Sequence, residues 1–152
     1  MSDIFDPDTF LDGTLPGSNS TKKELPPPGV YPAHISKIEV RNGTVKKEGA
    51  NFGKTWVALN ITWTIENHAV NSQLDQPKVN VFDSVMLDLD DSGQVSMGKG
   101  KNTRLGRLRE AIGMNTGPAR FRAFEGRPAQ IKVDPDEYNG EPTVKVSAYA
   151  KP

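Results

Sequence analysis

One segment constrains this chain more than any other. From Lys54 to Glu66, Val57, Leu59, Ile61, Trp63 and Ile65 alternate without a break, and Trp56, Ala58, Asn60, Thr62 and Thr64 fill the positions between. Period-two alternation marks a half-buried β-strand, because successive side chains leave a strand on opposite faces. The apolar row, Trp63 included, is expected in the core. The other row, led by Trp56, faces away from it.

Four more strands follow from the same logic. Val30 to Val40 opens after Gly29. Ala33 and Ile35 share one parity and Ile38 and Val40 the other, which predicts a bulge near Ser36-Lys37. Asn42-Gly43 is a strong turn signal, and Thr44 to Gly53 reads as a polar hairpin tip. In Val79 to Leu89, Val79, Val81, Val85, Leu87 and Leu89 share a parity that Asp83 interrupts, while Phe82 and Met86 point the other way. Ala129, Ile131 and Val133 alternate, as do Val144, Val146 and Ala148, with Asp134 to Gly140 as the turn between them. Residues 67–78 form a polar connection containing Pro77. Between the third and fourth strands, Asn102 or Thr103 caps a helix to about Ile112, with Leu105, Leu108 and Ile112 on one face and Gly113 as its stop.

Residues 1–28 read as a flexible acidic tail. They carry Asp3, Asp6, Asp8, Asp12 and Glu24 against Lys22 and Lys23, and Pro26-Pro27-Pro28 gives a stiff exit. Ile4, Phe5, Phe10, Leu11 and Leu15 are its apolar residues, suited to docking on the body or on a partner protein. The body is then 29–152, a single domain large enough for one core. The chain has no cysteine, so disulfides and thiolate metal sites are excluded. The sequence shows no apolar run of membrane-spanning length and no signal-peptide pattern, and host cytoplasm is the expected compartment.

Three strands, a helix and two strands give a mainly β fold. The layout is that of an OB-like five-stranded barrel with one helix between strands 3 and 4. An open sheet with one packed helix has the same element order.

The 19 basic and 19 acidic residues cancel overall, but not locally. Lys99, Lys101, Arg104 and Arg107 stand in a glycine-spaced loop leading into the helix, and Lys46, Lys47 and Lys54 flank the first hairpin tip. Trp56, Phe82 and Tyr149 fall opposite the apolar rows of their strands. Cations that track phosphates and aromatic faces that stack on bases are what a single-strand binder requires. If Trp56 and Phe82 meet on adjacent strands, they make a stacking platform. The bland alternatives are aromatics covered by a loop or by the tail, and a charge run that is only a solvated face. Arg109 and Arg120 read as structural or paired.

Catalysis and cofactors find little support. Gly98-Lys99-Gly100-Lys101 lacks the spacing of a phosphate-binding P-loop. Asp88, Asp90, Asp91 and Gly93 lack the distal glutamate of a calcium loop. His34 and His68 are isolated. No enzyme, metal or cofactor is expected.

Several blocks resemble a known family. They are Phe5-Asp6-Pro7-Asp8-Thr9-Phe10-Leu11, Pro28-Gly29-Val30-Tyr31, Met86-Leu87-Asp88, Met97-Gly98-Lys99-Gly100-Lys101-Asn102 and Leu105-Gly106-Arg107-Leu108-Arg109-Glu110-Ala111. Together they span nearly the whole chain and resemble bacteriophage single-stranded DNA-binding proteins of OB type and related phage proteins of unknown function. The resemblance implies an OB-like core and a role in phage DNA replication or recombination. The expected ligand is single-stranded DNA, bound without sequence preference. The tail would recruit phage or host replication proteins, and a homo-oligomer is compatible with this reading. The competing expectation is a protein-interaction or virion module on the same barrel, without nucleic acid.

Overall fold

The computed structural model describes residues 5–21, 24–74 and 78–152. Asp3, Ile4, Lys22, Lys23 and Pro77, used above, lie outside the described residues. The elements are α1 (Pro7–Leu11), β1 (Gly29–Thr44), β2 (Thr55–Ile65), α2 (His68–Gln73), β3 (Val79–Leu87), α3 (Thr103–Ala111), a 3-10 turn (Phe121–Phe124), β4 (Pro128–Tyr138) and β5 (Glu141–Ala150).

The strands form one five-stranded antiparallel sheet in the order β3-β2-β1-β4-β5. The fold is therefore mainly β, and among the described residues backbone pairing does not close the sheet. The inward rows meet as read from the sequence. Leu59, Ile61, Trp63 and Ile65 of β2 share one core with Val79, Val81 and Val85 of β3 and Ile131 and Val133 of β4, all essentially buried. Leu105, Leu108 and Ala111 bring α3 onto this core, and Phe124 brings the 3-10 turn.

Ser36 is the predicted bulge. Ile35 faces Trp63 and Lys37 faces Thr62, leaving Ser36 as the extra residue. The turn expected at Asn42-Gly43 is absent. Asn42 pairs with Val57 and Gly43 with Trp56, so β1 runs on to Thr44. Gly43 has a steric role instead. A Cβ there would sit 2.6 Å from Cζ2 of Trp56, so only glycine lets the indole lie across β1. The β4–β5 turn narrows to Asn139-Gly140, whose φ angles of 52° and 80° suit a two-residue hairpin.

Asn102 does not cap α3 with its side chain. It clamps the preceding loop, accepting from Asp88 N at 2.7 Å and donating to Asp88 O and Ser96 O, each at 2.9 Å. Gly113 ends the helix region at φ 76°.

Among its described residues, the N-terminal segment holds one element, α1. Asp6 caps α1, accepting from Asp8 N at 3.1 Å and Thr9 Oγ1 at 2.8 Å. Phe5, Phe10, Leu11 and Leu15 remain exposed, so they do not dock on the body. Pro26 is buried and the Tyr31 hydroxyl donates to the Pro27 carbonyl, which anchors the far end of the segment. No helix among the described residues is long and apolar enough to cross a membrane.

Candidate functional site

The outward face of β1–β2–β3 is built in rows across the strands. Lys37, Thr62 and Phe82 form one row, and Glu39, Asn60 and Ser84 the next. Arg41, Ala58 and Met86 form a third, and Gly43 and Trp56 a fourth. Phe82 is 72% exposed and Met86 62%. Ala58, although outward, is 4% exposed because its row neighbours Arg41 and Met86 are larger. Ser84 Oγ donates to Asn60 Oδ1 at 3.1 Å, tying the middle of the face.

Trp56 and Phe82 share this face but do not meet. Phe82 lies opposite Thr62, six residues along β2 from Trp56, or about 20 Å at strand rise. The expected two-ring platform is therefore corrected to separate stations: half-buried Trp56 near one end, exposed Phe82 further along, and Met86 between them.

Tyr149 is a second correction. Val133 pairs with Val146 and Lys132 with Ala148, which leaves Ser147 as an extra residue in β5. One bulged residue flips the parity beyond it. Tyr149 therefore turns to the same side as Val146, its ring 5.9 Å from that of Trp63. Its hydroxyl donates to Asp83. Burial, then the neighbouring Asp83 charge, pushes the phenol well above its ordinary range, against the opposing effect of Arg104. Tyr149 offers no free face for a base.

Arg104 is the third correction. Its Nη2 donates to Asp83 Oδ1 at 2.8 Å and to the Val146 carbonyl at 2.8 Å, and its guanidinium lies 5.3 Å from the Tyr149 ring centroid. Asp83, the interruption in β3's apolar row, is buried and receives both donors. Arg104, Asp83 and Tyr149 thus join α3, β3 and β5 across the seam that backbone pairing leaves open.

In front of the seam lies a cleft of about 520 Å³, lined by Phe82, Met86, Val144, Lys145 and Asp136 among others. It is contiguous with the outward face through Phe82 and Met86. Its cations are Lys145 and the seam's Arg104.

The remaining predicted cations are exposed: Lys46, Lys47, Lys54, Lys99, Lys101 and Arg107. Among the described residues none of them forms an ion pair. The topology gathers five of them at one end of the sheet. β2 begins at Thr55, where β3 ends, since Val57 pairs with Leu87. Asn102 ties the loop of Lys99 and Lys101 back to Asp88, the residue after β3. Arg107 is exposed on α3.

Sequence reasoning missed Phe52 and Arg41. Phe52 is 62% exposed in the tip that holds Lys46, Lys47 and Lys54. It is the single aromatic in a lysine- and glycine-rich stretch, and that was the available signal. Arg41 was hidden by the false turn. Asp90 folds onto its own loop, accepting from Ser92 N at 2.9 Å and Gln94 N at 3.0 Å. Among the described residues no group of three or more His, Asp or Glu is placed to hold a metal ion.

Compared with known proteins, the chain matches no family model, and no curated protein matches it.

Proposed function

We propose that this protein binds single-stranded DNA without sequence preference and without catalysis, along the outward face of β1–β3. The observation that carries the reading is the coincidence of uncovered apolar side chains and cations that form no ion pair among the described residues. Phe82, Met86, Phe52 and part of Trp56 are open, and Arg41, Lys46, Lys47, Lys54, Lys99 and Lys101 lie on the same face or at its end. Aromatic faces stack on any base, and lysine heads follow the phosphates, so this chemistry needs no sequence. Tyr149 and Arg104 act behind the face, holding the seam.

The frame is read as OB-like. The strand order and the helix between the third and fourth strands support this, and in such barrels the second and third strands with the flanking hairpins receive oligonucleotides. A phage replication or recombination role, exercised in the host cytoplasm, rests on the family resemblance of the sequence blocks. The second reading, a protein-interaction module, is favoured by Phe5, Phe10, Leu11 and Leu15, which stay exposed on the N-terminal segment.

Anisotropy of a labelled oligo-dT tests the proposal. Binding is expected at low salt, weakening with a logarithmic slope of about 0.7 per phosphate neutralised. Phe82→Ala and Phe52→Ala are each expected to weaken it about 5- to 150-fold, the range for loss of one stacked base, with melting temperature unchanged. No binding at low salt by the full chain ends this reading. Retention of a protein partner after nuclease treatment, without DNA, would favour the second.

A further inference from the structure

The two long hairpins leave opposite ends of β1. At its start, Gly29 pairs with Val133, and β4 runs on from there to a tip at Asn139-Gly140. At its finish, Thr44 pairs with Thr55, and the β1–β2 tip lies beyond. The tips carry opposite charge. The β1–β2 tip holds Lys46, Lys47 and Lys54 against Glu48. The β4–β5 tip holds Asp136, Glu137 and Glu141, with no cation from Pro135 to Val144. Each also exposes one ring, Phe52 at 62% and Tyr138 at 72%. Pairing of the β4–β5 arm with β1 ends at Gly29; Asp136 and Val144 at the base of the arm line the cleft with Phe82 and Met86, and the exposed tip beyond them carries Glu137, Tyr138 and Glu141, with Pro135 and Pro142 in its two strands.

We infer that the acidic tip of one copy docks on the basic tip of the next, joining copies head to tail. Like tips repel, which disfavours a symmetric tip-to-tip dimer. Unlike tips attract, and because they leave opposite ends of β1, a contact between copies leaves one tip free on each side. A heterologous contact of that kind extends into an open chain of copies unless its rotation happens to close. Tyr138 and Phe52 supply an apolar centre, and the carboxylates and lysines supply steering and register. The inference does not rest on nucleic-acid binding, and its test contains no DNA.

Sedimentation velocity of the nuclease-treated full chain reads it directly. Average mass is expected to rise with protein concentration at about 20 mM salt and to fall back to the monomer at about 500 mM, where the screening length is only about 4 Å. Lys46→Glu/Lys47→Glu/Lys54→Glu and Asp136→Lys/Glu137→Lys/Glu141→Lys should each weaken association about tenfold or more. An equimolar mixture of the two should restore it, since each then offers the other an unlike tip. Circular dichroism confirms that both variants fold, as expected for exposed tips. A wild-type chain that stays monomeric at every concentration and salt overturns the inference. So does association that survives both reversals, or a mixture that fails to recover it.

Discussion

Asp83→Ala probes the seam that sets the shape of the proposed site. The Asp83 side chain is 3% exposed and receives the Arg104 guanidinium at 2.8 Å and the Tyr149 hydroxyl. Removing it strands two donors with different means of recovery. Tyr149 sits against Trp63, and leaving a buried hydroxyl without an acceptor costs about 1–3 kcal/mol. The Arg104 side chain is 39% exposed and keeps the Val146 carbonyl, so its loss is closer to that of an exposed pair, up to about 1 kcal/mol. Together these give a loss of about 1–4 kcal/mol. At roughly 3–4 °C per kcal/mol for a domain of this size, the melting temperature should fall by about 3–16 °C. Urea denaturation followed by tryptophan emission measures the loss. A cycle with Tyr149→Phe should then show about 1–2 kcal/mol of coupling, as expected for groups in direct contact. A loss within about 0.5 kcal/mol, the scale of an ordinary surface change, would refute the claim that these side chains hold β3 to β5. So would strict additivity in the cycle.

Gly43→Ala should destabilise the fold by about 1–3 kcal/mol and shift tryptophan emission, because the new methyl meets the Trp56 ring; a gain in stability in the calorimeter would refute the steric role. Asn102→Gly keeps the φ of 53° accessible while deleting the clamp on Asp88 and Ser96, so amide exchange should accelerate across 89–101. Unchanged protection there would show that the loop is held otherwise. Burial raises the phenols of Tyr149 and Tyr31 above their ordinary value, so the folded chain keeps them protonated where the unfolded chain ionises them, from about pH 10. Their contribution is intact below that pH and is lost as pH rises beyond it. Melting temperature should therefore fall on the alkaline side, less steeply in Tyr149→Phe, and an identical slope in both proteins would contradict the assignment.

The inward rows of β2 and β3, the bulge at Ser36 and the stop at Gly113 were legible in the sequence, because each is written locally, as a parity, a parity change or a glycine after a periodic run. What escaped was set by the partner strand. Asn42-Gly43 has the composition of a turn, but its glycine answers a ring thirteen residues away on β2. Tyr149 has outward parity relative to Val144, Val146 and Ala148 until Ser147 is bulged, and only pairing with β4 reveals that bulge. Trp56 and Phe82 have matching faces, but whether they meet depends on register, which places Thr62 rather than Trp56 opposite Phe82.

The role of Arg104 is implied by the position of Asp83 in the sequence. A carboxylate within the apolar row of β3 cannot be buried alone, since an uncompensated charge in a core is too costly to keep. Asp83 therefore demands donors from elsewhere in the chain. The nearest basic stretch downstream enters a helix whose apolar face must lie on the same core, so one of its cations was already committed to Asp83. The rows of apolar residues indicate which face is buried. The single polar exception among them indicates which of the cations already has a carboxylate partner within the fold.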